Sequence, residues 1–94
     1  MKAEQLERIL ETVQGARKEG SVHMFPDDSD LSVFISLPAE VIAVAKVVRY
    51  ERSADVAVLE TQQGDRFHVT VESIAMVKQL AAAKRTGGRS AGFR

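Results

Sequence analysis

Apolar residues recur at Leu6, Ile9, Leu10 and Val13, a spacing of three and four that places them on one stripe of an amphipathic helix. The helix is expected from Lys2 to about Lys18, with Glu4 and Arg8 paired one turn apart on its solvated face and Gly20 as the natural stop. After Gly20 the period changes to two. Val22–Phe25 reads as a short strand, and Pro26-Asp27-Asp28-Ser29-Asp30 has turn chemistry. In LSVFISL, Leu31, Val33, Ile35 and Leu37 take one face, while Ser32, Phe34 and Ser36 take the other, as in a half-buried strand. Glu51–Ala54 is expected to turn, and DVAVLET and RFHVTV are two further alternating runs. In the second, Phe67, Val69 and Val71 point inward and Arg66, His68 and Thr70 outward. Ser73 is placed to cap a closing helix with the apolar face Ile74, Val77, Leu80 and Ala81.

Residues 39–50, AEVIAVAKVVRY, fit two patterns. Their Val and Ile content favours a strand, because β-branched side chains lose rotamers in a helix. Alternatively, Ser36 and Pro38 start a helix with Val41, Val44, Ala45 and Val48 on one face. As a strand the segment is apolar on both faces, the signature of a central strand covered on both sides. The order of elements therefore predicts an α+β fold. An N-terminal amphipathic helix accompanies a small antiparallel sheet of four to five strands, bent or closed as an SH3-like barrel, with a short C-terminal helix after it. Residues 1–83 are expected to form a single domain, and residues 84–94 a disordered basic Gly/Arg tail.

Composition narrows the function classes. A chain of 94 residues supports one thin core, and the absence of cysteine excludes disulfides and thiolate metal sites. MKAEQLERILETVQ lacks the apolar run of a secretion signal, and no stretch approaches the length needed to span a bilayer. These features predict a cytoplasmic protein with no membrane partner. Basic and acidic residues balance at 13 each, but unevenly: Lys84, Arg85, Arg89 and Arg94 stand in a terminus without acids, which leaves residues 1–83 acidic.

The motifs with chemical content are weak. Gly64-Asp65 between two alternating runs is a hairpin signal, so QQGDR reads as a connector. FPDDSD groups three carboxylates but lacks the central Gly and terminal Glu of a calcium loop, which makes it a solvated acidic turn. His23 and His68 are the only histidines, and no spacing supplies the three or four ligands of a zinc site. There is no Gly-x-Ser-x-Gly elbow, nucleotide-binding glycine loop or catalytic thiol. Arg49-Tyr50-Glu51-Arg52 has the spacing Arg-x2-Arg, whereas PilZ-type cyclic-dinucleotide binders carry Arg-x3-Arg and then Asp/Asn-x-Ser-x-x-Gly. That second motif is also missing here, which counts against the family. No catalytic residue, cofactor or metal ligand is assigned, and an enzyme is the least expected class.

The expected function is a non-enzymatic interaction module, an adaptor or regulatory subunit that binds another protein or itself. Its motive is surplus apolar surface, with Phe34 and the stripe Leu6, Ile9, Leu10 and Val13 as partner-binding residues. The alternative is a small-barrel nucleic-acid-binding protein. There Lys84, Arg85, Arg89, Arg94 and Arg66 would neutralise phosphates in a salt-sensitive, sequence-independent way.

Overall fold

The computed structural model describes residues 1–79. One helix, α1 (Ala3–Glu11), precedes eight strands: β1 (Arg17–Glu19), β2 (Val22–Met24), β3 (Leu31–Ser36), β4 (Val41–Val44), β5 (Val47–Ser53), β6 (Val56–Thr61), β7 (Arg66–Thr70) and β8 (Ile74–Gln79). All pairings are antiparallel. A five-stranded sheet has the order β1-β2-β5-β6-β7 and a three-stranded sheet the order β4-β3-β8. Both sheets are open, so the fold is α+β but not a closed barrel.

The chain passes between the sheets three times, and each passage has its own corner. Between β2 and β3 a 3-10 turn at Asp27–Ser29 leads to Asp30, whose φ is +52°. Between β4 and β5 the corner is Lys46, with φ +56°. Between β7 and β8 a second 3-10 turn spans Val71–Ser73. Positive φ is costly for residues with a Cβ, so these corners must be held by their surroundings. Lys46 Nζ donates to Asp30 Oδ1 at 3.0 Å, which ties two of the corners together. The Lys46 carbonyl also accepts the Gln62 N–H at 2.9 Å, and this hooks the β6–β7 hairpin to the same point.

Residues 39–50 are extended, as the β-branched content predicts, but they form parts of two strands rather than one. β4 is an edge strand with Val41, Ile42 and Ala43 exposed, not a central strand covered on both faces. The left-handed Lys46 sends the rest of the run into the other sheet. There a bulge at Val48 separates the pairs Val47↔Thr61 and Arg49↔Glu60. The extra residue resets the alternation, so Val47 and Tyr50 both face the core.

Several other expectations are corrected. α1 ends at Glu11, well before Lys18, and Arg17–Glu19 joins the sheet as β1. Gly15 makes that reversal: its φ is +83°, and a Cβ there would lie 2.7 Å from Pro26 Cγ. β5 continues through Glu51–Ser53, which moves the turn to Ala54 and Asp55. Among the described residues no helix follows Ser73. Its hydroxyl donates to the Thr70 carbonyl instead of capping, and Ile74–Gln79 pairs with β3, which would otherwise have an unpaired backbone edge. Leu37 and Phe67 keep the expected parity, but they lie beyond the covered part of the sheets and are exposed. Leu80, Ala81 and the tail from Lys84 onward lie outside the described residues.

The core lies between the sheets and beneath α1. Leu31, Val33, Ile35, Val44 and Ile74 come from the smaller sheet, Val47, Tyr50, Ala57 and Leu59 from the larger, and Leu6, Leu10 and Val13 from the helix and the turn after it. Among the described residues no helix is long and apolar enough to cross a membrane.

The corner gives a direct prediction. Lys46→Pro forces φ to about −65° where the fold needs a positive value, and it should lower the unfolding free energy by well over about 1 kcal/mol. Lys46→Gly accepts the conformation and loses only an exposed ion pair, so its effect should stay within about 1 kcal/mol. Urea denaturation compares the two. Equal midpoints for wild type and Lys46→Pro would show that the corner does not hold the sheets.

Candidate functional site

Three groups of side chains are candidate sites. The first joins α1 to the larger sheet. The register places Lys18, His23, Tyr50, Leu59 and Phe67 in one row across its inner face. Glu7 and Glu11, one helical turn apart, meet this row. The Tyr50 hydroxyl donates to Glu7 Oε2 at 3.0 Å, and Arg52 Nε donates to the same oxygen. Glu11 lies 3.6 Å from Lys18 Nζ and 3.8 Å from His23 Nε2. Burial alone would raise the Glu7 carboxyl, but hydrogen bonds from Arg52 and Tyr50 outweigh it and hold the pKa below its ordinary value. Burial pushes the Tyr50 hydroxyl far up, and its bond to Glu7 adds to the shift, so Tyr50 remains a donor. The bond to Glu7 likewise raises Arg52. A fixed donor and a saturated carboxylate clasp the helix to β5.

His23 stands beside this clasp at 2% exposure, edge-on to Tyr50 with ring centroids 5.5 Å apart. Neither ring nitrogen makes a hydrogen bond within the described residues. The histidines do not meet: His68 is on the outer face of the larger sheet, exposed. Among the described residues, no group of three or more His, Asp or Glu could hold a metal.

The second group covers that outer face. Arg17, Met24, Arg49, Glu60 and Arg66 form one cross-strand row, and Glu19, Val22, Glu51, Val58 and His68 form the next. Arg49 lies 3.5 Å from Glu51 and 3.9 Å from Glu60, and Arg66 lies 3.9 Å from Glu60. The shallow cavity among them holds about 160 Å³. Arg66 is therefore part of a ladder of alternating charge rather than a basic patch. Its proposed companions Lys84, Arg85, Arg89 and Arg94 lie outside the described residues.

The third group is the outer face of the smaller sheet. Phe34 stands between Ala43 on β4 and Met76 on β8, and Ser36 stands opposite Val41. Val41 is 62% exposed and Met76 47%, and Phe34 is half-buried. The result is an apolar strip across three strands, with Lys78 as the charged residue at its border. Beside it, between β4 and β7, which are edge strands among the described residues, lies a groove of about 280 Å³ lined by Ala43, Val44, Lys46, Gln63, Asp65 and Phe67.

The sequence-predicted residues thus separate. Phe34 lies in the exposed strip. Leu6, Leu10 and Val13 are buried in the chain's own core, with Ile9 half-buried at its rim, so the helix stripe covers this chain's sheet. Val41 and Met76 were missed, because their exposure depends on which strands form the edges. The QQGDR tip is a turn closed on itself: Thr61 N–H bonds to the Asp65 carbonyl, Gly64 N–H to the Thr61 carbonyl, and Gly64 has φ +95°. FPDDSD leaves Asp27 and Asp28 in solvent and directs Asp30 to Lys46. No protein-family model matches the chain, and comparison with curated proteins and with solved structures finds no match either.

Two measurements test the clasp. Glu7 titrates in the folded state below its ordinary value of 4.5, so its contribution to stability is present above that value. It is lost as the pH falls through the lowered folded value. Wild type should be more stable than Glu7→Gln near neutral pH, and the gap should shrink as the pH falls below 4.5. A gap independent of pH would leave the carboxylate without a role. His23→Phe keeps the ring contact and removes two buried nitrogens that make no hydrogen bond among the described residues. It should match wild type or exceed it by up to about 1 kcal/mol in thermal or urea unfolding. A clear loss would instead assign His23 a working pair with Glu11.

Proposed function

We propose that the chain is a non-enzymatic interaction module, an adaptor or regulatory subunit that docks through the outer face of its three-stranded sheet. The observation that carries this reading is the strip of Met76, Phe34 and Ala43 with Val41 beside it. These are apolar side chains on adjacent strands, not scattered singly, and contiguous exposed apolar surface marks interaction sites. Flat sheet faces of this kind fit a protein surface better than a small molecule, which binds in concave sites with convergent polar groups. The side chains that would be asked to do acid–base chemistry are engaged elsewhere: Tyr50 and Arg52 both bond Glu7 under α1. The nucleic-acid reading draws less support from the described residues, since Arg17, Arg49 and Arg66 alternate with Glu19, Glu51 and Glu60 across the larger sheet.

A photoreactive amino acid placed at Phe34 or Met76 should cross-link to protein in the cells that make this chain. The same probe at Glu19, on the charged edge of the other sheet, should give no adduct. If Phe34 and Met76 capture no more than Glu19 does, the face is not a docking surface.

A further inference from the structure

Among the described residues the two sheets end on four edge strands, β1, β7, β4 and β8. Three carry charge: Arg17, Lys18 and Glu19 on β1, Arg66 on β7, and Lys78 on β8. Charged residues on an edge discourage pairing with another chain. β4, Val41-Ile42-Ala43-Val44, carries none. Its backbone polarity follows from the β3–β4 hairpin. Leu37 and Glu40 exchange both of their hydrogen bonds, at 2.8 and 3.3 Å, so bonded and non-bonded pairs alternate from there. Ile42 and Val44 therefore bond to Ile35 and Val33, whereas the N–H and C=O groups of Val41 and Ala43 point away from β3.

The charges that flank β4 choose its partner. Glu40 stands at one end and Lys46, whose ammonium pairs with Asp30 of its own chain, at the other, both exposed. Antiparallel pairing of β4 with itself about a two-fold axis brings each Glu40 towards Lys46 of the other copy. Parallel pairing would place like charges together at both ends. We propose that β4 pairs with β4 of a second copy of this chain, centred on Ala43 opposite Ala43. In this register Val41 faces Ala45 of the other copy, so the outward-pointing amides and carbonyls meet one another. Only a register joining outward-pointing residues keeps Phe34 and its counterpart on the same face. The row Met76, Phe34, Ala43 then continues into the second copy, and one sheet runs through both. The inference rests on the interaction-module reading and adds self-association through the strand edge beside the docking face.

Sedimentation equilibrium of the full 94-residue chain, with amide exchange read residue by residue, tests it. Wild type should dimerise, and the Val41 and Ala43 amides should gain protection as concentration rises. Ala43→Pro removes an N–H that points away from β3, a substitution edge strands tolerate, and should yield a folded monomer. Val41→Lys, which keeps every N–H and adds an edge charge, should do the same if the proline variant fails to fold. Glu40→Lys, which places like charges at both ends, should weaken the dimer about tenfold or more. A wild-type chain that stays monomeric with Val41 and Ala43 exchanging freely overturns the inference, as does a dimer indifferent to Ala43→Pro and Val41→Lys. If that monomer still cross-links another protein from Phe34, the module reading survives without self-pairing. If Phe34 captures nothing, both fail.

Discussion

At Lys46 the backbone adopts the left-handed conformation, and this inversion lets one apolar run serve two sheets. Before it, Val44 reaches the core from β4, and after it Val47 reaches the same core from β5. A straight strand through these residues would leave half of their side chains on the wrong side of a single sheet. The corner is held by an ion pair to Asp30, itself left-handed, and by the Gln62 amide on the Lys46 carbonyl. Two strained positions that support each other cost less than either would alone in solvent, because the same contacts restrain both. The bulge at Val48 completes the adjustment by turning Tyr50 inward.

Tyr50 in turn receives the helix. Two open sheets leave the core accessible on one side, and α1 closes it with Leu6 and Leu10. Helices this short have little stability of their own, so α1 depends on the sheet it covers. The Glu7 clasp fixes its position, since the carboxylate accepts from both Tyr50 and Arg52, residues that share one face of β5. The amino group of Met1 also bonds the carbonyls of Glu72 and Ile74, which draws the start of the helix to the corner before β8. Helix, corner and sheet switch form one connected set of restraints.

The same construction explains where the exposed surface lies. The larger sheet carries alternating Arg and Glu on its outer face, a pattern that satisfies its own charges and suits water. The smaller sheet carries Phe34, Val41 and Met76 and has no helix over it among the described residues, because α1 is fixed to the other side of the core. Apolar side chains and the uncharged edge β4 coincide on one sheet, while the Arg–Glu ladder lies on the other.

Much of this was legible in the residues themselves. The stripe Leu6, Leu10 and Val13 identified the buried side of the helix, and the alternation in LSVFISL identified Leu31, Val33 and Ile35 as core. Gly64 marked a turn, and Phe34 was correctly placed on the face away from the core. These features are local, since a period of two or four residues and a positive φ at Gly need no distant partner. The closing strand Ile74–Gln79, the division of residues 39–50 at Lys46, and the exposure of Val41 and Met76 were decided only by the tertiary structure. Ile74, Met76 and Val77 suit a helix or a strand until β3 offers an unpaired backbone edge, and Lys46 has no intrinsic preference for a left-handed corner. Which strand lies at an edge is a property of the assembled sheets, because it depends on pairings between residues far apart in the chain.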